Sequence, residues 1–160
     1  MCGRSRDAHN RHVRFRLPDP VLSRAEQEPA PGTWMSHADP MSSVMMDIPD
    51  VGPFVRALLP VALKGGGTVT FGLWLGIHPA DLARAISSWW APSYPELVLD
   101  GRLANDVQPW GLLGRPAKAA VRDPEHTPYV TSSSDPLTQL VLSRPWPHAE
   151  VLDAVPDWAH

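Results

Sequence analysis

The sequence predicts an α+β fold: an antiparallel β-sheet with a long central hairpin, packed against two or three short helices. Three observations carry this. Residues 68–77 alternate apolar with small or polar side chains, and an apolar run over 54–63 precedes them across Lys64-Gly65-Gly66-Gly67. Two strands joined by a glycine turn are therefore expected. Segments of helical spacing are short, and each opens at a proline, at 20, 79, 136 and 147. The order is strands, helix, strands, helices, without the strand–helix alternation that a parallel sheet requires.

Residues 1–11 are basic and polar without periodicity. They read as a flexible lead-in or a vestigial metal site, and residues 12–160 as one domain. From His12 to Leu17, Val13, Phe15 and Leu17 alternate with His12, Arg14 and Arg16, the pattern of a half-exposed strand. Asp19-Pro20 then opens a short helix to about Gln27. A loop broken by Pro29, Pro31, Gly32 and Pro40 follows, and Val44 to Ile48 reads as a short strand ending in a turn over 49–53.

The first hairpin strand carries Val55, Leu59, Val61 and Leu63 on one face, and Pro60 places it at an edge or bulge. The second presents Val69, Phe71, Leu73, Leu75 and Ile77 on one oily face. Thr68, Thr70, Gly72, Trp74 and Gly76 lie on the other, where the glycines leave space around the indole. Pro79 opens a helix to about Trp90, with Leu82, Ala85, Ile86 and Trp89 toward the sheet. Glu96 to Leu103 reads as a strand, with Asp100-Gly101 as an alternative tight turn. Residues 117–122 and 127–131 are short strands. Ser134 or Asp135 caps a helix that begins at Pro136, and a last helix covers 147–154.

Composition narrows the function classes. A net charge of -3 argues against a nucleic-acid binder and against a polybasic membrane anchor. One cysteine excludes an internal disulfide framework. No charged-then-apolar leader opens the chain, and its longest apolar runs, about ten residues, are too short to cross a bilayer. A cytoplasmic protein is expected. The 19 prolines are spread along the chain and mark many short elements joined by stiff turns. Seven tryptophans supply either core or binding surface.

Recognisable catalytic motifs are missing. Gly65-Gly66-Gly67 lacks the Lys-Ser/Thr of a phosphate loop, and no Gly-x-Ser-x-Gly elbow occurs. Cys2, His9 and His12 carry thiolate and imidazole donors that suit zinc, with His37 or Asp7 as a fourth ligand; an exposed terminal tail is the alternative. His78, Asp106 and His126 are the candidates for an unfamiliar hydrolase or transferase site. Trp89 and Trp90 are neighbours on a helix and point about 100° apart, so both cannot face one core layer. With Tyr94 and Trp110 they form a candidate binding patch.

The early Cys2-Gly3 with a histidine soon after, the 68–77 hairpin strand, the helix ending Trp89-Trp90, the segment from Leu103-Ala104-Asn105 to Trp110-Gly111, and the helix start Asp135-Pro136-Leu137 together resemble the bacterial DUF2199 family, a domain of unknown function. The resemblance spans roughly residues 1–155. It implies a small zinc site of Cys-x-x-Cys-Gly type, of which Cys2 and Gly3 match the second half. The first cysteine would precede Met1, and the segment up to Phe15 is longer and more basic than the family pattern. The resemblance implies no mechanism. The expectation is a non-enzymatic regulatory or immunity-type module that binds a protein partner. An enzyme with a His/Asp site and a zinc-stabilised domain are the alternatives.

Overall fold

The computed structural model describes residues 10–19, 33–49 and 51–154. Eight strands form one continuous hydrogen-bonded sheet: β1 (Asn10–Arg14), β2 (Trp34–Met35), β3 (Met45–Ile48), β4 (Gly52–Ala62), β5 (Thr68–Gly76), β6 (Val98–Leu103), β7 (Pro116–Ala120) and β8 (Tyr129–Ser132). Among the described residues three helices accompany them: α1 (Pro79–Trp89), α2 (Pro136–Ser143) and α3 (His148–Leu152). A 3-10 turn spans Tyr94–Glu96.

The sheet closes on itself, which corrects the expected antiparallel sheet with a long central hairpin packed against two or three short helices. β4, β5, β6, β7 and β8 pair in turn, and β8 returns to β4 in parallel at Leu58↔Tyr129. The result is a closed barrel of five strands with mixed pairing, and strand (36%) outweighs helix (22%). β1 also pairs in parallel, from Asn10↔Thr68 to Arg14↔Gly72. Both parallel pairings join segments more than fifty residues apart. Local periodicity reports which face of a strand is buried and says nothing of its distant neighbour, so closure was not visible in it.

The long hairpin is present as expected, with β4 and β5 paired from Phe54↔Gly76 to Ala62↔Thr68. Gly65, Gly66 and Gly67 turn it with φ of 82°, 113° and 93°, values open to glycine and strained for other residues. Each long strand has two neighbours on its outer side. β4 pairs with β3 along Gly52–Val55 and with β8 at Leu58. β5 pairs with β1 along its first half and with β6 at Leu75 and Gly76. Each strand thus serves both the barrel and a flap laid over its outside.

Pro60 sits inside β4, not at an edge or bulge. The N–H groups of Arg56 and Leu58 point away from β5, to the carbonyls of Val44 and Pro128. Position 60 points the same way by alternation. The pairing with β8 is confined to Leu58, and Trp146 next donates to the Ala62 carbonyl. The missing donor falls in that gap.

The Asp100-Gly101 turn is likewise replaced by uninterrupted strand. A Cβ at 101 would lie 2.2 Å from the Gly76 carbonyl oxygen, so glycine there admits the close crossing of β5 and β6.

The barrel interior holds Val55, Ala57, Leu59, Val61, Val69, Phe71, Leu73 and Leu75, closed by Leu82 and Ala85 of α1, Val141 of α2 and Val151 of α3. Ile86, expected to face the sheet, is instead exposed. The opposite face of the hairpin is not the open face expected either. Leu17, Met46, Ile48, Phe54, Trp74 and Ala104 form a second core there, and Trp74 is fully buried. The space beside Gly72 is filled by the Arg14 side chain at 3.3 Å, and that beside Gly76 by the Phe54 ring at 3.5 Å. The helix expected over 20–27 lies outside the described residues. No helix among the described residues is long and apolar enough to cross a membrane.

Candidate functional site

The proline that opens α1 and Pro92 and Pro95 after it set the geometry of a cleft at the end of the helix. His78 caps the helix, its Nδ1 accepting from the Ala80 N–H at 3.2 Å, with Pro79 at the first turn. The helix ends at Trp89, and the chain turns through Ser93 into Tyr94–Glu96. The fold back brings Tyr94 under Trp89, ring centroids 5.3 Å apart and tilted by 48°. Tyr94 is buried, and its hydroxyl donates to the main-chain carbonyl of His126, pinning the turn between β7 and β8 against this segment. Burial pushes the Tyr94 phenol up to about 12, so it stays a neutral donor at any ordinary pH.

These contacts frame a cleft of about 270 Å³ lined by Trp89, Trp90 and Tyr94, with Val44 and the turn residues 124–127 completing it. Trp90 is 69% exposed, the most exposed large apolar side chain among the described residues. Glu125 and His126 supply polar edges to the cleft. The His126 imidazole is already engaged, with Nδ1 3.5 Å from an Asp123 carboxylate oxygen and 3.3 Å from the Tyr129 hydroxyl. A smaller groove of about 160 Å³ crosses the outside of β6, β7 and β8. Its Asp100 and Lys118 are cross-strand partners of opposite charge, and no aromatic ring lines it.

The structure thus brings together three of the four patch residues, Trp89, Trp90 and Tyr94. Trp110 is not among the residues lining that cleft; its ring meets Trp146 edge-on at 5.1 Å. Of the metal candidates, Cys2 and His9 lie outside the described residues, and His12 is exposed on β1. No three His, Cys, Asp or Glu side chains converge as metal ligands among the described residues. His78, Asp106 and His126 share no recorded hydrogen bond or ion pair. His78 caps α1, Asp106 accepts from Gln108 and Leu113, and His126 engages Asp123 and Tyr129.

Two buried polar groups, Arg56 and Asn105, organise the frame. Arg56 is fully buried on β4, directly opposite Trp74 in the register. Its guanidinium lies over the indole, 4.0 Å from the centroid. It donates to four carbonyls: Phe15, Gly72 (3.2 Å), Ser43 (3.3 Å) and Pro40 (3.0 Å). Burial, and then the nearby Arg14 cation, lower its pKa below the usual arginine value. The carbonyls and the indole face offset that desolvation. One side chain therefore ties β1, the 36–44 loop and β5 to β4. An arginine in an otherwise apolar strand was the available signal.

Asn105 is the second. Its Oδ1 accepts from the Trp74 N–H at 2.8 Å, and its Nδ2 donates to the Leu17 carbonyl at 2.9 Å and to Asp19 at 3.0 Å. The side chain of Asn105 stands in for a strand that would otherwise pair with β5 there. The Leu103–Trp110 segment, distinctive as sequence, is thus anchored by a structural clamp.

Comparison with models of known protein families, with characterised proteins and with solved structures finds no match to this chain.

Proposed function

We propose that this chain is a non-enzymatic module, regulatory or of immunity type, that binds another protein through the aromatic cleft at the end of α1. One observation carries the reading: Trp90 stands exposed beside the packed Trp89–Tyr94 pair, on a turn held by the buried Tyr94 hydroxyl. Leaving an indole in water forgoes about 2–3 kcal/mol of burial, and tryptophan and tyrosine dominate the energetic centres of protein interfaces. The cleft, of about 270 Å³, has room for one or two protruding side chains. The candidate acid–base groups are engaged elsewhere: His78 caps α1, Asp106 accepts from Gln108 and Leu113, and His126 lies against Asp123 and Tyr129.

The test is capture from cells of the source organism with the intact chain and with Trp90→Ala, followed by titration of the purified partner. A partner that binds the intact chain, and binds Trp90→Ala at least tenfold more weakly while both proteins melt alike, supports the reading. Equal affinity for the two would sink it.

A further inference from the structure

We infer that the cleft at the end of α1 receives a cationic side chain, a lysine or arginine of the partner, held between the face of Trp90 and the carboxylate of Glu125. The inference rests on the partner-binding reading above and specifies what the partner presents.

The lining chemistry selects the occupant. Aromatic faces carry negative quadrupole potential and attract a cation within about 6 Å of the ring centre. The Glu125 side chain lines the cleft and enters no ion pair or hydrogen bond among the described residues. The basic group that lines the cleft is His126, which already sits beside Asp123. Arg122, the nearest cation in sequence, lies over the Tyr129 ring at 4.9 Å. An anionic occupant would meet the Glu125 carboxylate. A neutral one would strip water from Glu125 without replacing it.

The rest of the molecule shows the same pairing in use. Arg56 lies over Trp74, Arg122 over Tyr129 and Arg144 over Trp146. Trp90, far more exposed than Trp74, has no cation of this chain over it among the described residues.

The experiment uses the full chain, labelled with ¹⁵N, and follows the indole N–H signals of Trp89 and Trp90. Three blocked tripeptides are titrated: Gly-Arg-Gly, Gly-Lys-Gly, and Gly-citrulline-Gly as the neutral isostere of arginine. The cationic peptides should shift the Trp90 signal saturably, with affinity roughly 3- to 30-fold above the citrulline peptide, the sum of an exposed cation–π contact and a surface ion pair. Glu125→Gln should remove the ion-pair share, lowering that advantage roughly 1.5- to 5-fold, and leave citrulline binding unchanged. Both positions are at the surface, so a dispersed spectrum and an unchanged melting temperature confirm that the variant folds.

Equal affinity for arginine and citrulline peptides, or no effect of Glu125→Gln, overturns the cationic occupant. Partner binding that still depends on Trp90 would then preserve the broader reading. Failure of that reading shows separately, as a partner indifferent to Trp90→Ala.

Discussion

The two faces of β5 are both buried, by opposite means. On one, Val69, Phe71, Leu73 and Leu75 enter the barrel and meet only apolar neighbours from the surrounding strands and the helices. On the other, Trp74 and Gly72 lie beneath a flap held by Arg56 and Asn105, whose side chains bond to main-chain groups of residues 15, 17, 40, 43, 72 and 74. Apolar packing is non-directional and tolerates repacking. The polar face is directional, because removing one side chain takes a donor from several carbonyls at once, although those of Gly72 and Pro40 keep the N–H groups of Phe15 and Ser43. The second core beneath the flap is smaller than the barrel interior, and hydrogen bonds add the direction that its apolar packing lacks.

Two truncations separate the mechanisms. Arg56→Ala should cost more than about 4 kcal/mol, since four carbonyls each lose a partner at about 1–3 kcal/mol. Leu73→Ala in the barrel should cost about 2–5 kcal/mol, the usual transfer plus cavity loss. Urea unfolding gives both values. Arg56→Lys sharpens the contrast: a single ammonium cannot reach four diverging carbonyls, and it should recover less than half of the loss. A loss under about 1 kcal/mol for Arg56→Ala would show that the flap is held by apolar packing after all.

Asn105→Ala is the milder break of the same face. It leaves the Trp74 N–H and the Leu17 carbonyl without their side-chain partner, at a cost of about 2 kcal/mol. Amide exchange at Trp74 should rise further than at Leu73 and Leu75. Uniform acceleration along β5 would mean that the clamp is not local.

Two carboxylates give the smallest effects, with opposite signs. Asp135 caps α2: its carboxylate accepts from the N–H and hydroxyl of Thr138 and from Arg115, and these bonds, the two to Thr138 foremost, hold its pKa below the usual value. Its stabilisation is therefore complete above the unfolded value of about 3.9 and is lost as pH falls through the lower folded value. Asp19 is raised, chiefly by burial. Its ionised form costs stability, and that cost sets in as pH climbs from about 3.9 through the higher folded value. Unfolding curves from pH 3 to 7 should show the penalty of Asp135→Asn shrinking toward acid. Asp19→Asn should gain on the wild type as pH rises. The same slope for both would contradict the assignment.

The site was legible in part. Trp89-Trp90 beside Pro92 and Pro95 announced that one indole had to leave the core, and Trp90 does. The Tyr94 fold-back could be read from the same prolines. Trp110 could not be placed, because its contact with Trp146 joins segments 36 residues apart. Nothing local announced Glu125 or His126 as neighbours of α1, since the 124–127 turn reaches the cleft only through barrel closure.

What the sequence by itself determined is the set of elements with one-dimensional signatures. These are the hairpin by its period of two and its three glycines, α1 and α2 by their caps and prolines, and the interior side of β5 by alternation. What only the tertiary structure decided is which strands meet. The parallel contact of β8 with β4, the flap of β1 and β3 over the hairpin, and the burial of Arg56 and Trp74 all depend on residues distant in the chain. The physical reason is that side-chain periodicity records only whether a face is shielded from water. Which backbone or guanidinium does the shielding is set by hydrogen bonds that form after the chain has closed on itself.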